Sequence, residues 1–235
     1  MKLTEDLAEF VGICIGDGCI SVNKRYSELS VCGDIVEEKE YYLKRVIPLF
    51  NKELCKPLIG KEVIGKEYLK NGVYGFKIFN KIIVKYLEKL GLNSGRKINV
   101  TIPEKFVNKE LVKAVLRGIF DTDGTVYFNK STSGIYSQPR IKLGSTSKKL
   151  IFQLKEIIKS LGITSYIKKP YKGKRDTNKI YSIVIYRKED ILKWSKEIGF
   201  NNPKHSSKIK IWKNLGKGIP HSTLKERKEI LSKLV

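Results

Sequence analysis

The sequence predicts an α+β protein made of two copies of one α-β-β-α-β-β-α unit, and three observations predict it. Residues 10–18 read FVGICIGDG and residues 116–124 read LRGIFDTDG, which places Asp17-Gly18 and Asp123-Gly124 106 positions apart. The echo continues downstream. LSVCGDIVEEKEYYLKRVIPLF (29–50) is matched by IKLGSTSKKLIFQLKEIIKSLGI (141–163), and YGFKIFNKIIVKYLEKLGLNSGRK (74–97) by YSIVIYRKEDILKWSKEIGFNNPKH (181–205). The interval from the acid to the later Gly-Leu-Asn or Gly-Phe-Asn element is 74 residues in the first copy (Asp17 to Gly91) and 76 in the second (Asp123 to Gly199). A period this long exceeds any solenoid unit and indicates a duplicated small domain.

Each copy opens with a helix. Thr4 followed by Glu5 and Asp6 supplies a cap and an acidic first turn, and Asn108 with Glu110 repeats the device. A glycine turn at Gly18 or Gly124 then leads into two strands, ISVNKRYSELSVCG or TVYFNKSTSGIYSQPRIKLGS, with polar turn residues between them. An amphipathic helix follows (37–50; 147–161). Next come a second hairpin (Lys61–Phe79; Tyr166–Tyr186) and a closing helix (80–90; 188–198). The expected organisation is therefore a first repeat at 1–97, a linker at 98–108, a second repeat at 109–205 and an extension at 206–235. In the extension, Thr223-x-x-Glu226 has the form of a capping box and predicts a short terminal helix.

Composition narrows the partner. The 235 residues include 47 Lys and Arg against 24 Asp and Glu, a formal charge of +23, with 41% hydrophobic residues to build a core. Such a charge favours a polyanion, nucleic acid first. Its distribution is uneven. Residues 1–106 carry 18 basic and 14 acidic residues, net +4, and residues 107–235 carry 29 and 10, net +19. No apolar run reaches the roughly 20 residues of a membrane span, so no membrane association is expected. The acidic, mixed N-terminus is unlike a secretory signal, and Cys14, Cys19, Cys32 and Cys55 form no C-x-x-C pair, which argues for reduced thiols and an intracellular location.

The two opening helices carry stripes of small residues at i, i+4 spacing: Ala8, Gly12 and Gly16 in one, and Ala114, Gly118 and Thr122 in the other. Two such stripes allow close helix packing that sets Asp17 beside Asp123. Carboxylates so placed repel one another and face the negative helix ends, unless a cation lies between them. Oxygen donors of this kind suit Mg²⁺, with Mn²⁺ or Ca²⁺ able to substitute in binding. A basic protein presenting such a centre to a polyanion points to metal-assisted phosphodiester hydrolysis.

The paired motifs FVGICIGDG and LRGIFDTDG resemble those of single-chain LAGLIDADG homing endonucleases, over roughly residues 5–210. The resemblance implies two pseudo-symmetric repeats whose saddle-shaped antiparallel sheets straddle double-stranded DNA. It also implies a monomer that cuts both strands of a long asymmetric target. The family's metal-binding acids fall on Asp17 and Asp123, and the residues whose carbonyls help hold metal fall on Gly16 and Thr122. Asp121, where the first copy has Ile15, is expected to be a helix-end or packing residue. The polar residue that positions water falls on Asp34 and Ser145. The basic residue near the scissile phosphate falls on Lys97 in the first copy, with Lys204 and Lys208 as rivals in the second.

Alternating strands leave one sheet face for the major groove. The residues available to meet DNA are Ser21, Asn23, Arg25, Ser30, Lys61, Lys66, Lys70 and Lys77 in the first copy. In the second they are Tyr127, Asn129, Lys130, Gln138, Arg140, Lys142, Lys168, Lys172, Lys174, Arg175 and Lys179. Because the two sets differ, the target should be asymmetric. An RNA maturase acting on intron RNA and a non-cleaving DNA-binding regulator are the alternatives of the same fold. An intein is disfavoured, since the sequence has no terminal Cys or Ser and no C-terminal His-Asn. Neither a catalytic triad nor a phosphate-binding G-x-x-x-x-G-K-[ST] loop is found around the two histidines or elsewhere.

Overall fold

The computed structural model describes residues 2–173 and 177–234. The expected Lys174 and Arg175 contacts lie outside the described residues. Two compact units are formed, Met1–Thr122 and Asp123–Val235.

In the first unit, α1 (Glu5–Gly16) starts at Thr4, whose side chain accepts the backbone N–H of Leu7 at 3.0 Å. The strands β1 (Gly18–Val22), β2 (Ser27–Asp34), β3 (Lys66–Tyr68) and β4 (Val73–Phe79) make one antiparallel sheet in the order β1-β2-β4-β3. Between β2 and β3 runs a helical rod over residues 39–59. It consists of α2 (Lys39–Tyr41), α3 (Ile47–Phe50) and α4 (Lys56–Ile59), joined by π-helical turns at Tyr42–Val46 and Asn51–Cys55. This rod is longer than the expected 37–50, and the hairpin after it begins at Lys66 rather than Lys61. The reason lies in Pro48 and Pro57. Neither can donate to the carbonyl four residues back, and a π-turn ahead of each lets the rod continue where proline would otherwise end it. The helix α5 (Lys81–Lys89) is capped by Asn80, whose Oδ1 accepts the N–H groups of Ile82 and Ile83. The core of this unit runs through Phe10, Phe50 and Phe76, with Phe50 stacked on Phe76 at 4.5 Å between centroids.

The helix α6 (Val112–Thr122) belongs to the first unit, where it packs along α1. Asn108 serves the expected cap, its Oδ1 accepting from Glu110 and Leu111. Gly12 and Gly118 make the crossing. A Cβ on Gly12 would lie 3.1 Å from the Cα of Gly118 and would collide with the Val115 carbonyl oxygen, and one on Gly118 would collide with the Glu9 carbonyl oxygen. Ala8 and Ala114 are buried with them.

The second unit repeats the pattern. The strands β5 (Gly124–Asn129), β6 (Gln138–Ser145), β7 (Ser165–Tyr171) and β8 (Ile180–Ile185) form an antiparallel sheet in the order β5-β6-β8-β7. The helices α7 (Lys148–Ser160) and α8 (Lys188–Glu197) fall within two residues of their expected bounds. Two further helices follow. One of them, α9 (Pro203–Leu215), carries signals that sequence reading passed over: Asn202 caps it, Pro203 sits in its first turn and Gly216 ends it at φ +69°. The other, α10 (Leu224–Ser232), has the expected Thr223–Glu226 capping box. Among the described residues no helix is long and apolar enough to cross a membrane.

Candidate functional site

In each repeat the motif acid ends the opening helix and hands the chain to a strand. Asp17 is the C-cap of α1, its N–H donating to the Ile13 carbonyl at 2.9 Å, and Gly18 begins β1. Gly18 is required there, because a Cβ would press on the backbone of Cys14 at 2.6 Å. Asp123 stands between the last residue of α6 and Gly124 of β5.

The surroundings of Asp17 are the most fully built. Tyr42, at the start of the first π-turn, donates its hydroxyl to Asp17 Oδ2 at 2.7 Å. Burial first, and the neighbouring Asp17 carboxylate second, push the Tyr42 hydroxyl well above its usual range, so it remains a donor at neutral pH. The Lys97 ammonium donates to the Gly16 carbonyl. The Asp17 carboxylate, the Gly16 carbonyl and the Lys97 ammonium therefore lie together at the end of α1. Tyr42 was not singled out from sequence. The only signal for it was a second tyrosine in the run Tyr41-Tyr42, and an amphipathic pattern explains that run equally well.

Around Asp123 the second unit forms an open groove of about 610 Å³. It is lined by Asp123, Thr125, Tyr127, Lys142, Ser145 and Lys168 among others. Lys208 of α9 donates its ammonium to the Val126 carbonyl of β5 at 3.1 Å. Lys204 lies in the first turn of the same helix, its N–H donating to Asn202 Oδ1. Thr122 keeps its hydroxyl within its own helix, donating to the carbonyls of Gly118 and Ile119. Asp121 is fully buried, in keeping with packing rather than ligation.

Asp34 and Ser145 each end a strand but stand one position out of register, since Ser145 pairs Tyr181 as Gly33 pairs Tyr74. Asp34 Oδ1 accepts the N–H groups of Val36 and Glu37, and Ser145 Oγ accepts that of Ser147. Each turns the chain from its strand toward the following helix.

Strand register sorts the DNA-facing candidates. In the first sheet Ser30 pairs Lys77, Ser21 pairs Glu28 and Lys66 pairs Gly75, which puts Ser21, Ser30, Lys66 and Lys77 on one face. Glu28 shares that face and lies 3.8 Å from Lys77. In the second sheet Tyr127 pairs Arg140, Asn129 pairs Gln138 and Thr125 pairs Lys142, with Lys168 reached through Ser182. Tyr127, Asn129, Gln138, Arg140, Lys142 and Lys168 therefore share a face on which no strand residue is acidic, with Asp123 at its end. Asn23 and Arg25 are turn residues. Asn23 Oδ1 accepts the N–H groups of Arg25 and Tyr26, so that oxygen is committed to the turn. Arg140 is likewise engaged, donating to the Tyr186 carbonyl at 2.9 Å. Lys61, Lys70, Lys130, Lys172 and Lys179 lie in turns and connections at the sheet margins and are exposed.

Oxygen donors set this chemistry apart from a thiolate or imidazole site. Among the described residues no group of three or more His, Cys, Asp or Glu side chains could hold a metal ion. A lone carboxylate with a helix-end carbonyl fits a hard cation that retains water and takes further ligands from phosphate, as Mg²⁺ does.

Residues 110–199 match the family model described as the LAGLIDADG-like domain. Among solved structures, the chain is similar to variants of the homing endonuclease I-DmoI in complex with target DNA. One, with Mn²⁺, has a TM-score of 0.59 at 14% identity and covers 83% of this chain and 93% of that one. Another, with Mg²⁺, has a TM-score of 0.58 at 12% identity, covering 83% and 96%. The LAGLIDADG homing endonuclease I-GzeII, bound to its DNA target, gives 0.57 at 14% identity over 99% and 92%. The N-terminal LAGLIDADG domain of WhiA gives 0.50 at 17% identity over 83% and 81%. Curated relatives include a replication factor C small subunit of Methanocaldococcus jannaschii, 24% identical over 206 residues, covering 87% of this chain and 10% of that one. A glutamine–fructose-6-phosphate aminotransferase of the same organism is 26% identical over 221 residues, covering 92% and 18%. The chain thus spans between a tenth and a fifth of these relatives. Its fold is that of the LAGLIDADG homing endonucleases.

Proposed function

We propose that the protein is a site-specific, divalent-metal-dependent DNA endonuclease that hydrolyses both strands of a long asymmetric target. The observation that carries this reading is the duplicated helix end. Asp17 and Asp123 each close a motif helix and open onto a sheet one face of which bears polar and basic side chains. A binder with a net charge of +23 gains nothing in affinity by presenting two carboxylates to phosphate.

In this mechanism Asp17 with the Gly16 carbonyl, and Asp123 with the Thr122 carbonyl, would hold Mg²⁺. A cation bound there would supply Lewis-acid stabilisation of phosphate charge and a lowered pKa for water. Lys97 stands at the end of α1 to meet developing negative charge, and Lys208 takes the corresponding part for the second repeat through its position on β5. Lysines on the sheet faces hold the backbone in register, while Asn129, Gln138 and Tyr127 read base edges. The two faces differ at nearly every position, so an asymmetric target follows, and one chain acting as a monomer suffices to bind it.

The matched stretch recurs within proteins whose names share no activity, which supports a self-contained unit with chemistry of its own. A second reading keeps the fold for binding without cutting, either as a regulator or as a maturase on intron RNA. The likeness to the LAGLIDADG domain of WhiA favours keeping it in view.

The test is digestion of a randomised DNA library in Mg²⁺ by the wild type and by Asp17→Asn, Asp123→Asn and the double variant. Specific double-strand cleavage by the wild type alone is expected. Selective binding with no cutting in either Mg²⁺ or Mn²⁺ would establish the second reading instead.

A further inference from the structure

Asp17 has a support that is built into the first unit. Asp17 receives the Tyr42 hydroxyl at 2.7 Å. Tyr42 is wholly buried, and its ring lies beneath β2 in a slot that exists because residue 33 is glycine. A Cβ on Gly33 would stand 2.6 Å from Tyr42 Cε2 and 3.2 Å from Cζ. The π-turn at Tyr42–Val46 is the part of the rod that delivers this hydroxyl. Insertions of this kind are favoured where a helix must re-aim a side chain at a site.

The corresponding helix of the second unit is built differently. That helix, α7, is regular throughout and contains no tyrosine. Its buried face is Leu150, Ile151, Leu154, Ile157 and Ile158. Ser145 stands at the place of Gly33, pairing Tyr181 as Gly33 pairs Tyr74, so a side chain occupies the position that glycine leaves open in the first unit.

We propose that Tyr42 is a positioning residue that fixes the Asp17 carboxylate for divalent-cation binding. This rests on the reading of Asp17 as a metal ligand. A carboxylate that must turn to meet a cation gives up rotamer freedom on binding, and a rigid donor on one oxygen removes that cost beforehand. The ring is clamped by packing, so the hydroxyl can act as such a donor where a flexible side chain could not.

The experiment titrates the full chain with Mn²⁺ alone and follows free Mn²⁺ by electron paramagnetic resonance. The proteins are the wild type, Tyr42→Phe, Asp17→Asn, the double variant and Tyr41→Phe. Tyr41 is an equally buried neighbour with no hydrogen bond from its hydroxyl. Tyr42→Phe should weaken the Asp17-dependent site about tenfold. It should add nothing in the Asp17→Asn background, and Tyr41→Phe should match the wild type. As a measurement that leaves Tyr42 in place, Mg²⁺ should produce a tyrosine ultraviolet difference spectrum that Asp17→Asn abolishes. If Asp17→Asn loses a site that Tyr42→Phe retains at full affinity, Tyr42 has no positioning role and the endonuclease reading stands. Equal weakening by Tyr42→Phe with and without Asp17 would likewise overturn the role. Unchanged Mn²⁺ binding in Asp17→Asn would remove the metal reading of Asp17 and this inference with it.

Discussion

Gly12 and Gly118 meet backbone to backbone where α1 crosses α6, each set against the carbonyl three residues before the other. The contact is close because neither residue has a side chain, and it carries α6 onto the helix that ends in Asp17. Gly12→Ala and Gly118→Ala should each lower stability by about 1–3 kcal/mol, since the added methyl meets backbone that cannot move aside. Chemical denaturation of the two single variants would show it. Stabilities equal to that of the wild type would mean that the crossing relaxes freely.

Glu9 is a second tie between the same helices. It is fully buried, accepts Arg45 Nε at 2.9 Å and Arg45 Nη2 at 2.7 Å, and accepts Arg117 Nη1 of α6 at 3.0 Å. Glu9→Gln leaves two guanidinium groups without their shared anion, and a loss of about 3 kcal/mol is expected. The melting temperature of that variant, compared with an exposed control such as Glu88→Gln, is the measurement.

Asp6 gives the network a pH dependence. Burial raises its carboxyl, but hydrogen bonds from Lys52 and Arg45 outweigh that and hold it below the ordinary carboxylate range. A depressed value in the folded state contributes stability that is complete above the unfolded value, near 4, and is lost as pH falls through the folded one. The stability gap between wild type and Asp6→Asn should therefore be constant near neutral pH and close in acid below 4. A gap that widens in acid would contradict this.

Thiol chemistry should separate the cysteines by burial. Burial pushes the Cys14 thiol up to about 12, with Lys97 opposing the shift, whereas Cys19 is exposed at the start of β1. Iodoacetamide at pH 8 should label Cys19 and leave Cys14 untouched until the chain unfolds. Peptide mapping by mass spectrometry would read this directly.

Charge on the two sheets should appear as unequal salt dependence. Replacing Lys142 and Lys168 together by alanine should reduce the slope of log affinity against log salt by about two. Replacing Lys66 and Lys77 should reduce it less, because Lys77 already faces Glu28 at 3.8 Å. Equal reductions would show that Glu28 does not offset its neighbour.

Sequence alone determined the duplication, the order of elements in each repeat and the two acids. Those features are carried by local signals: caps at Thr4 and Asn108, glycine turns after Asp17 and Asp123, and hydrophobic period. The net charges of +4 and +19 on the two halves were also legible, and strand register put an acidic strand residue, Glu28, on the first basic face and none among the strand residues of the second. What only the tertiary structure decided depends on contacts distant in the chain. The π-turns before Pro48 and Pro57 extended a helix that proline should have ended. The Lys97 ammonium reached the Gly16 carbonyl 81 residues away, and the Tyr42 hydroxyl found Asp17 across 25. No periodicity encodes such meetings, because they follow from how one element lies on another and from the room that a glycine leaves between them.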